Sequence, residues 1–487
     1  MNIVPAPAVV QDVSDAAPHM LDAEDRDSAI EMALDAIDEE LVAGDGLGLE
    51  GYRLYVDELA MRSEAATEAG LFYARQTLTQ LVTQRDGQWI VPAAAIRDQP
   101  RFAYRGVMLD VARHFFAVEV VKAFIDRAAG LKLNALHLHL SDDQGWRIEI
   151  ESWPRLTEAA SSTSVGGGPG GFYTQAQYRE IVAYAASRHM IVVPEIDVPG
   201  HTHAVAIAYP ELTQAPVLTE AHRALGRELG QELPIPGEPY TGWAVGFSSL
   251  KMNDEATYGL LADVFGELAE LTPGPYLHLG GDEALGTDPE DFGAFVARVS
   301  QIIAGTGKTP IAWHEAGAAS ALAPGTIGQY WGLRRAAPNN SRETRAFLAN
   351  GGRIIFSPAD AVYLDMKYDE STALGLTWAD GPTSVERSYS WDPADIVPGI
   401  GENEILGIEA PFWTETVATL ADIDLLAFPR IASAAEIGWS PRDSVLRTWE
   451  SFRDRVGALG PLWAAQGTQF HRSPEIDWAP GSNAGSS

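Results

Sequence analysis

Asp282 and Glu283 stand side by side in PYLHLGGDEALGT, Pro275 to Thr287, where an apolar run ends in two glycines and then two carboxylates. Paired carboxyl groups are the tools of glycosidic hydrolysis, and a retaining enzyme ordinarily holds them about 5 to 5.5 Å apart, facing each other across the scissile bond. Neighbours on a strand point to opposite faces. Asp282 and Glu283 therefore make a poor acid and nucleophile couple. Where a strand is ending, both can touch one substrate from adjacent angles; the alternative is a nucleophile that belongs to the substrate, with Glu283 as the acid and Asp282 handling a neighbouring polar group.

Other residues of useful type fall at, or just beyond, the ends of further short apolar runs: Arg113, Asp142, Glu195 with Asp197, Trp313 with Glu315, Trp331, Tyr363 with Asp365, and Trp413 with Glu415. Carboxylates and an arginine fork to hydroxyls, and indole faces stack on the C–H faces of a sugar ring, so the set suits a neutral polyol. Trp378 is a fourth indole of this kind, beside Trp313, Trp331 and Trp413.

Eight runs position these residues: RGVMLDVA, LNALHLHLS, MIVVPEID, YLHLGGDE, TPIAWHE, TIGQYW, GRIIFSP and ILGIEAPFW. Their continuous hydrophobicity is that of parallel strands buried on both faces, and segments between them, such as VEVVKAFIDRAAGLK and TQAQYREIVAYAASRH, read as amphipathic helices. The pattern predicts a (β/α)8 barrel over residues 101–475, with its functional groups at the carboxyl ends of the strands. Before it, helical spacing in DSAIEMALDAIDEELV and GLFYARQTLTQLVTQ flanks strand-like GYRLYVDE and LAMRSEA, which predicts a small α/β domain over 26–100. Residues 1–25 lack a period and are expected to form a loose tail, and 476–487 a frayed one. The glycine-rich SSTSVGGGPGGFYT reads as a flexible rim loop.

The chain of 487 residues carries 34 basic and 67 acidic residues, a net charge of -33, which argues against nucleic acid or an anionic membrane as partner. It contains no cysteine, so disulfides, thiolate metal sites and a Cys nucleophile are excluded. No run approaches the roughly 18 apolar residues of a membrane span, and the first residues lack the basic and apolar regions of a signal peptide, so a cytoplasmic location is the default expectation.

The motifs RGVMLDVARHF, HLHLSDDQGWRIEI, PEIDVPGHTHA, HLGGDEA, QYWG, VYLDMKY and EAPFWTET, taken in this order, resemble family 20 glycoside hydrolases, the β-N-acetylhexosaminidases, from about Gly51 to Trp478. The resemblance implies a (β/α)8 barrel behind a small α/β domain, and an exo-acting enzyme for terminal N-acetylglucosamine or N-acetylgalactosamine with no metal and no cofactor. It further implies substrate-assisted catalysis, in which the sugar's own 2-acetamido oxygen attacks the anomeric carbon and closes an oxazolinium ion. On this resemblance Glu283 matches the general acid and base, Asp282 the group on the amide N–H, and Tyr363 the hydroxyl on the amide oxygen. Arg113, Asp365 and Glu415 match partners of the ring hydroxyls, Trp413 the indole under the ring, Trp313 and Trp331 the walls around the acetamido methyl, and Trp378 a rim position. Asp142 and His201 look like a supporting pair behind the acid, with Asp143 as the competing choice for Asp142.

Three other readings compete. A metal-dependent barrel hydrolase could use His137 and His139 with His201 and His203, but it would want its H-x-H on the first strand and the sequence places it on the second. A chitinase-like endo-hydrolase would carry a D-x-x-D-x-D-x-E strand, which YLHLGGDE does not. A sugar-binding protein without catalysis would not need the acid, its aspartate neighbour and the tyrosine together.

Overall fold

Each of the eight apolar runs forms one strand of a closed parallel barrel in the computed structural model: β1 Tyr104–Asp110, β2 Ala135–His139, β3 Ile191–Glu195, β4 Tyr276–His278, β5 Thr309–Trp313, β6 Ile327–Tyr330, β7 Ile354–Phe356 and β8 Ile405–Ala410, with β8 returning to β1. The structure describes residues 2–482 apart from 12, 14, 15, 44, 45 and 232. Every residue of β1, β2 and β8 is buried, as expected for strands with side chains in the barrel on one face and helices on the other. The registers His139 opposite Glu195 and Glu195 opposite His278 set β2, β3 and β4 level with one another.

The outer helices cover the barrel through their apolar stripes. In Val118–Ala129 the buried positions are Val121, Phe124, Ile125, Ala128 and Ala129, the three-and-four spacing of one helix face. Gln175–Ser187 starts in a capping box between Thr174 and Gln177. The expected closing helix is present as Trp449–Ala465.

Ahead of the barrel, a five-stranded sheet takes the order Val9–Gln11, Ala94–Asp98, Tyr52–Val56, Met61–Ala65, Asp38–Leu41, with helix Glu68–Leu81 beside it and helix Arg26–Ala36 packed on that helix and on a three-stranded sheet of His19–Leu21, Gln88–Val91 and Thr83–Arg85. The helix expected across residues 27–42 ends early. The backbone turns extended at Ile37, and Asp38–Leu41 pairs in parallel with Met61–Ala65, leaving an acidic edge to solvent.

The loose tail expected over residues 1–25 also needs correction, because Val9–Gln11 pairs with Ala94–Asp98 and Ile3, Val4 and Ala6 are fully buried. Polar partners make that burial tolerable: Gln80 bonds both the N–H and the carbonyl of Val4, and the Ala6 N–H donates to Glu436. At the other end, Ile476 and Ser482 are buried, while residues 483–487 of the expected frayed tail lie outside the described residues. No helix among the described residues is long and apolar enough to cross a membrane.

Candidate active site

β4 ends at His278, so Asp282 and Glu283 do not lie on the strand whose alternation would part them. Gly280 at φ +72 and Gly281 at φ +95 turn the chain, and Glu283 itself takes a left-handed φ of +45. Oxygens of Asp282 and Glu283, with one nitrogen of His201, consequently lie within 4.8 Å of one another. Gly280 is required on two counts, since its φ is positive and a Cβ there would sit 1.8 Å from Asp197 Oδ1. Gly280→Ala is expected to lower the melting temperature and to reduce kcat by about tenfold or more, because displacements of about 1 Å at a reacting centre can cost about 10²-fold. A wild-type kcat in that variant would contradict the positioning.

Burial pushes the Asp282 carboxyl up to about 6; the His201 imidazole opposes the rise, and Glu283 and Glu195 add to it. Asp282 Oδ1 is buried without a hydrogen-bond partner, an arrangement that costs about 1 to 3 kcal/mol unless a ligand N–H meets it. Beside it Asp197 is held well above the usual carboxylate range, first by burial and then by the charge of Asp282, and its Oδ1 accepts from the Gly281 N–H at 3.0 Å. Tyr363, likewise buried and facing the Asp282 charge, is held well above the usual phenol range and is therefore a neutral donor.

A cavity of about 540 Å³ opens over these groups at the carboxyl ends of the strands, with Arg113, His201, Asp282, Glu283, Tyr363 and Glu415 in its lining. Its apolar walls include Trp331, Trp378 and Trp413. Trp331 is held by its indole N–H, which donates to Glu315 at 2.8 Å, and Trp378 is 52 % exposed at the rim. A larger cavity of about 660 Å³, between the small domain and the last helix, contains none of these groups.

Three of the sequence-derived residues lie behind that lining. Trp313, expected as a wall, is only 1 % exposed; its indole N–H donates to Glu195 at 2.9 Å and its ring lies 6.2 Å from that of Trp413. Asp365 is buried with neither carboxyl oxygen in a hydrogen bond of good geometry, and Glu415 Oε2 is in the same condition. These are acceptors of the kind sugar hydroxyls satisfy. Asp142 lies deepest. Its Oδ1 is 3.2 Å from His201 Nδ1, while Arg113 Nη1 and His139 Nε2 approach its Oδ2 at 2.8 and 2.7 Å.

Of the two neighbours it is Asp142 that contacts the His201 ring, while Asp143 accepts from the His203 N–H and the Ser248 hydroxyl. Arg113 is partly committed to Asp142 and lies 4.8 Å from the Trp413 ring, which leaves its unpartnered Nε and the rest of its fork for a ligand. His137 and His139, the H-x-H pair, are buried below the cavity with Glu409, Glu195 and Asp142 around them.

Sequence reasoning missed the segment between His201 and the helix Glu255–Leu271, which carries the helix Glu220–Leu229 and brings Glu228, Trp243 and Val245 to the cavity. Gln144 fastens it by donating to the Gly242 carbonyl, and the rim-loop Gly166 N–H donates to the Thr241 carbonyl. The aromatic in TGWAVGF was the available signal.

A closed (β/α)8 barrel whose mouth gathers carboxylates, indoles, an arginine and a tyrosine around two adjacent acids is the architecture of a carbohydrate hydrolase. The model of glycosyl hydrolase family 20, catalytic domain, matches residues 102–291 and 286–442, and that of glycosyl hydrolase family 20, domain 2, matches residues 3–99. A β-N-acetylhexosaminidase of Cellulomonas fimi is 42% identical over 455 residues, 92% of this chain and 85% of its own length. A solved family 20 β-N-acetylglucosaminidase is 58% identical, with a TM-score of 0.92 over 98% of this chain and 100% of its own. The Streptomyces plicatus N-acetyl-β-hexosaminidase, solved in complex with Thio-NAglucal, is 44% identical with a TM-score of 0.87, covering 98% of each chain. The chain belongs to glycosyl hydrolase family 20.

Proposed function

We infer that the chain is an exo-acting β-N-acetylhexosaminidase that removes terminal non-reducing N-acetylglucosamine or N-acetylgalactosamine with retention, through an oxazolinium intermediate. The observation that carries this reading is the turn after β4, which aims two adjacent carboxyl groups at one cavity. Glu283 protonates the departing oxygen and then takes a proton from the incoming water. Asp282, through its unpartnered Oδ1, accepts from the acetamido N–H and stabilises the positive charge that grows on the amide. Tyr363 donates to the acetamido oxygen and holds it under the anomeric carbon.

Asp365, Glu415 and the free part of Arg113 take ring hydroxyls. Trp413 lies under the ring, Trp331 beside the acetamido methyl, and Trp313 fixes the floor behind both. Trp378 extends the apolar wall to the rim.

Two displacements occur at the anomeric carbon, one by the amide and one by water, so the first sugar released keeps the β-configuration. NMR of the first anomer formed from an aryl N-acetyl-β-glucosaminide tests this, and release of the α-anomer would end the proposal. The charge on Asp282 adds a pH condition. A carboxyl pushed up to about 6 is increasingly protonated below that pH, so kcat is expected to fall as pH drops through about 6. Asp282→Asn should remove that acidic limb together with most of the activity; an acidic limb unchanged in the variant would assign it to another group.

A further inference from the structure

The acid of a glycosidase stands beside the departing oxygen, so the group that leaves occupies the part of the mouth next to Glu283. That part is bordered by the segment between His201 and the helix Glu255–Leu271. Its Gly246, at φ +78, lies against the turn that carries the acid: a Cβ there would be 2.7 Å from Leu285 Cδ1 and 3.1 Å from the Glu283 carbonyl oxygen. Farther along the same turn, a Cβ on Gly286 would lie 3.0 Å from Val217 Cγ1. The segment is thus seated on the acid's own turn, and it brings Trp243, Val245 and Glu228 to the cavity that Glu283 lines.

Hydrogen bonds fix this border. His222 Nε2 donates to the Val245 carbonyl at 2.9 Å, the Trp243 N–H donates to Gln231 Oε1 at 2.9 Å, and the Ala244 N–H donates to the Tyr240 hydroxyl at 2.8 Å. Tyr240, Ala244 and Phe247 form a small buried cluster of their own. Apolar side chains nevertheless stay open beside the acid, where Leu285 is 54 % exposed and Val217 41 % exposed. An apolar lip with indoles in the same cavity suits the C–H faces of a further sugar ring.

Charge at the outer mouth has one sign. The two cations in the cavity lining, Arg113 and His201, are buried and face Asp142 at 2.8 and 3.2 Å. Glu228 is exposed, with no hydrogen-bond or ion-pair partner among the described residues, and no exposed cation in the lining offsets it.

We propose that this segment forms the binding place of the leaving-group sugar, with Trp243 as its stacking face and Glu228 as a charge filter. The filter favours a ring that bears an ammonium group and disfavours one that bears a carboxylate. The proposal rests on the reading of Glu283 as the acid of a hexosaminidase, and it names the second ring of that enzyme's substrate.

The quantity to measure is kcat/KM, which reports transition-state stabilisation relative to free enzyme and substrate. The substrates are a β-linked N-acetylglucosamine disaccharide and methyl N-acetyl-β-glucosaminide, whose leaving group has no ring to stack. Trp243→Ala is expected to lower kcat/KM on the disaccharide by about tenfold, the scale of one aromatic face, with a much smaller loss on the methyl glycoside. Trp243→Phe should restore most of it. Equal losses on the two substrates would mean that Trp243 only shapes the segment, and would overturn the subsite.

For the filter, the second ring of the disaccharide carries in turn a protonated amine, an acetamido group or a carboxylate, and kcat/KM should fall in that order. Glu228→Gln should narrow the ratio between the first and the last by about fivefold, the scale of one exposed ion pair. A ratio unmoved by Glu228→Gln would overturn the filter. If the methyl glycoside still yields the β-anomer while these ratios stay put, the second-ring site alone is defeated. Release of the α-anomer would instead defeat the reading of the reaction beneath it.

Discussion

Glu283→Gln is expected to lower kcat/KM, which reports the steps up to departure of the leaving group, by about 10²- to 10⁴-fold on a substrate with a sugar or alkyl leaving group, the usual worth of a positioned acid, and far less on an activated aryl glycoside. The difference follows from where the proton is needed. An alkoxide is too basic to depart unprotonated, whereas an activated phenolate departs without help, so only the first reaction feels the loss of the acid. Glutamine keeps the volume of the side chain and its place near His201 Nε2, 3.4 Å away in the wild type, so the left-handed turn and the cavity remain. Equal losses on both leaving groups would show that the residue shapes the site rather than donating a proton. Because the same group later activates water, the aryl substrate should retain a slow second step, visible as a burst of phenol before steady turnover.

The sequence was most legible where one physical demand dominates. Strands buried on both faces must be continuously apolar, which is why all eight barrel strands stood out, and loops at their carboxyl ends carry the polar residues that the structure gathers at one mouth. Depth was less legible. Trp313 and Trp331 follow similar strands, yet one is sealed behind Glu195 and the other faces the cavity, a distinction set by which neighbouring side chain accepts the indole N–H. The carboxylates around the H-x-H pair come from distant strands, Glu409 being 272 residues from His137. No local spacing could reveal which carboxylates the two histidines meet. The short N-terminal strand and the acidic edge strand Asp38–Leu41 escaped because pairing partners, rather than periodicity, make them strands.

The second large effect concerns the substrate. If its acetamido group supplies the nucleophile, an aryl β-glucoside with a 2-hydroxyl in that position loses the chemical step and not merely some binding. Removing a small apolar contact with a wall such as Trp331 accounts for about 1 to 3 kcal/mol, whereas a well-oriented internal nucleophile is worth about 7 to 11 kcal/mol. The defect should therefore appear in kcat and exceed what a lost contact explains. Asp282→Asn and Tyr363→Phe should each reduce kcat on the natural sugar, because one stabilises the amide nitrogen as it becomes positive and the other holds the amide oxygen in its attacking pose. A stable thiazoline shaped like the bicyclic ion should inhibit far more tightly than the product sugar.

The most direct test of two adjacent acids serving two atoms of one substrate is kcat on the matched aryl β-glucoside and N-acetyl-β-glucosaminide, measured at saturation with the thiazoline as inhibitor. The account predicts a kcat on the glucoside lower by several orders of magnitude, with tight thiazoline inhibition. Comparable kcat on the two sugars and weak thiazoline binding would contradict it, and would return Asp282 to the role of an ordinary nucleophile.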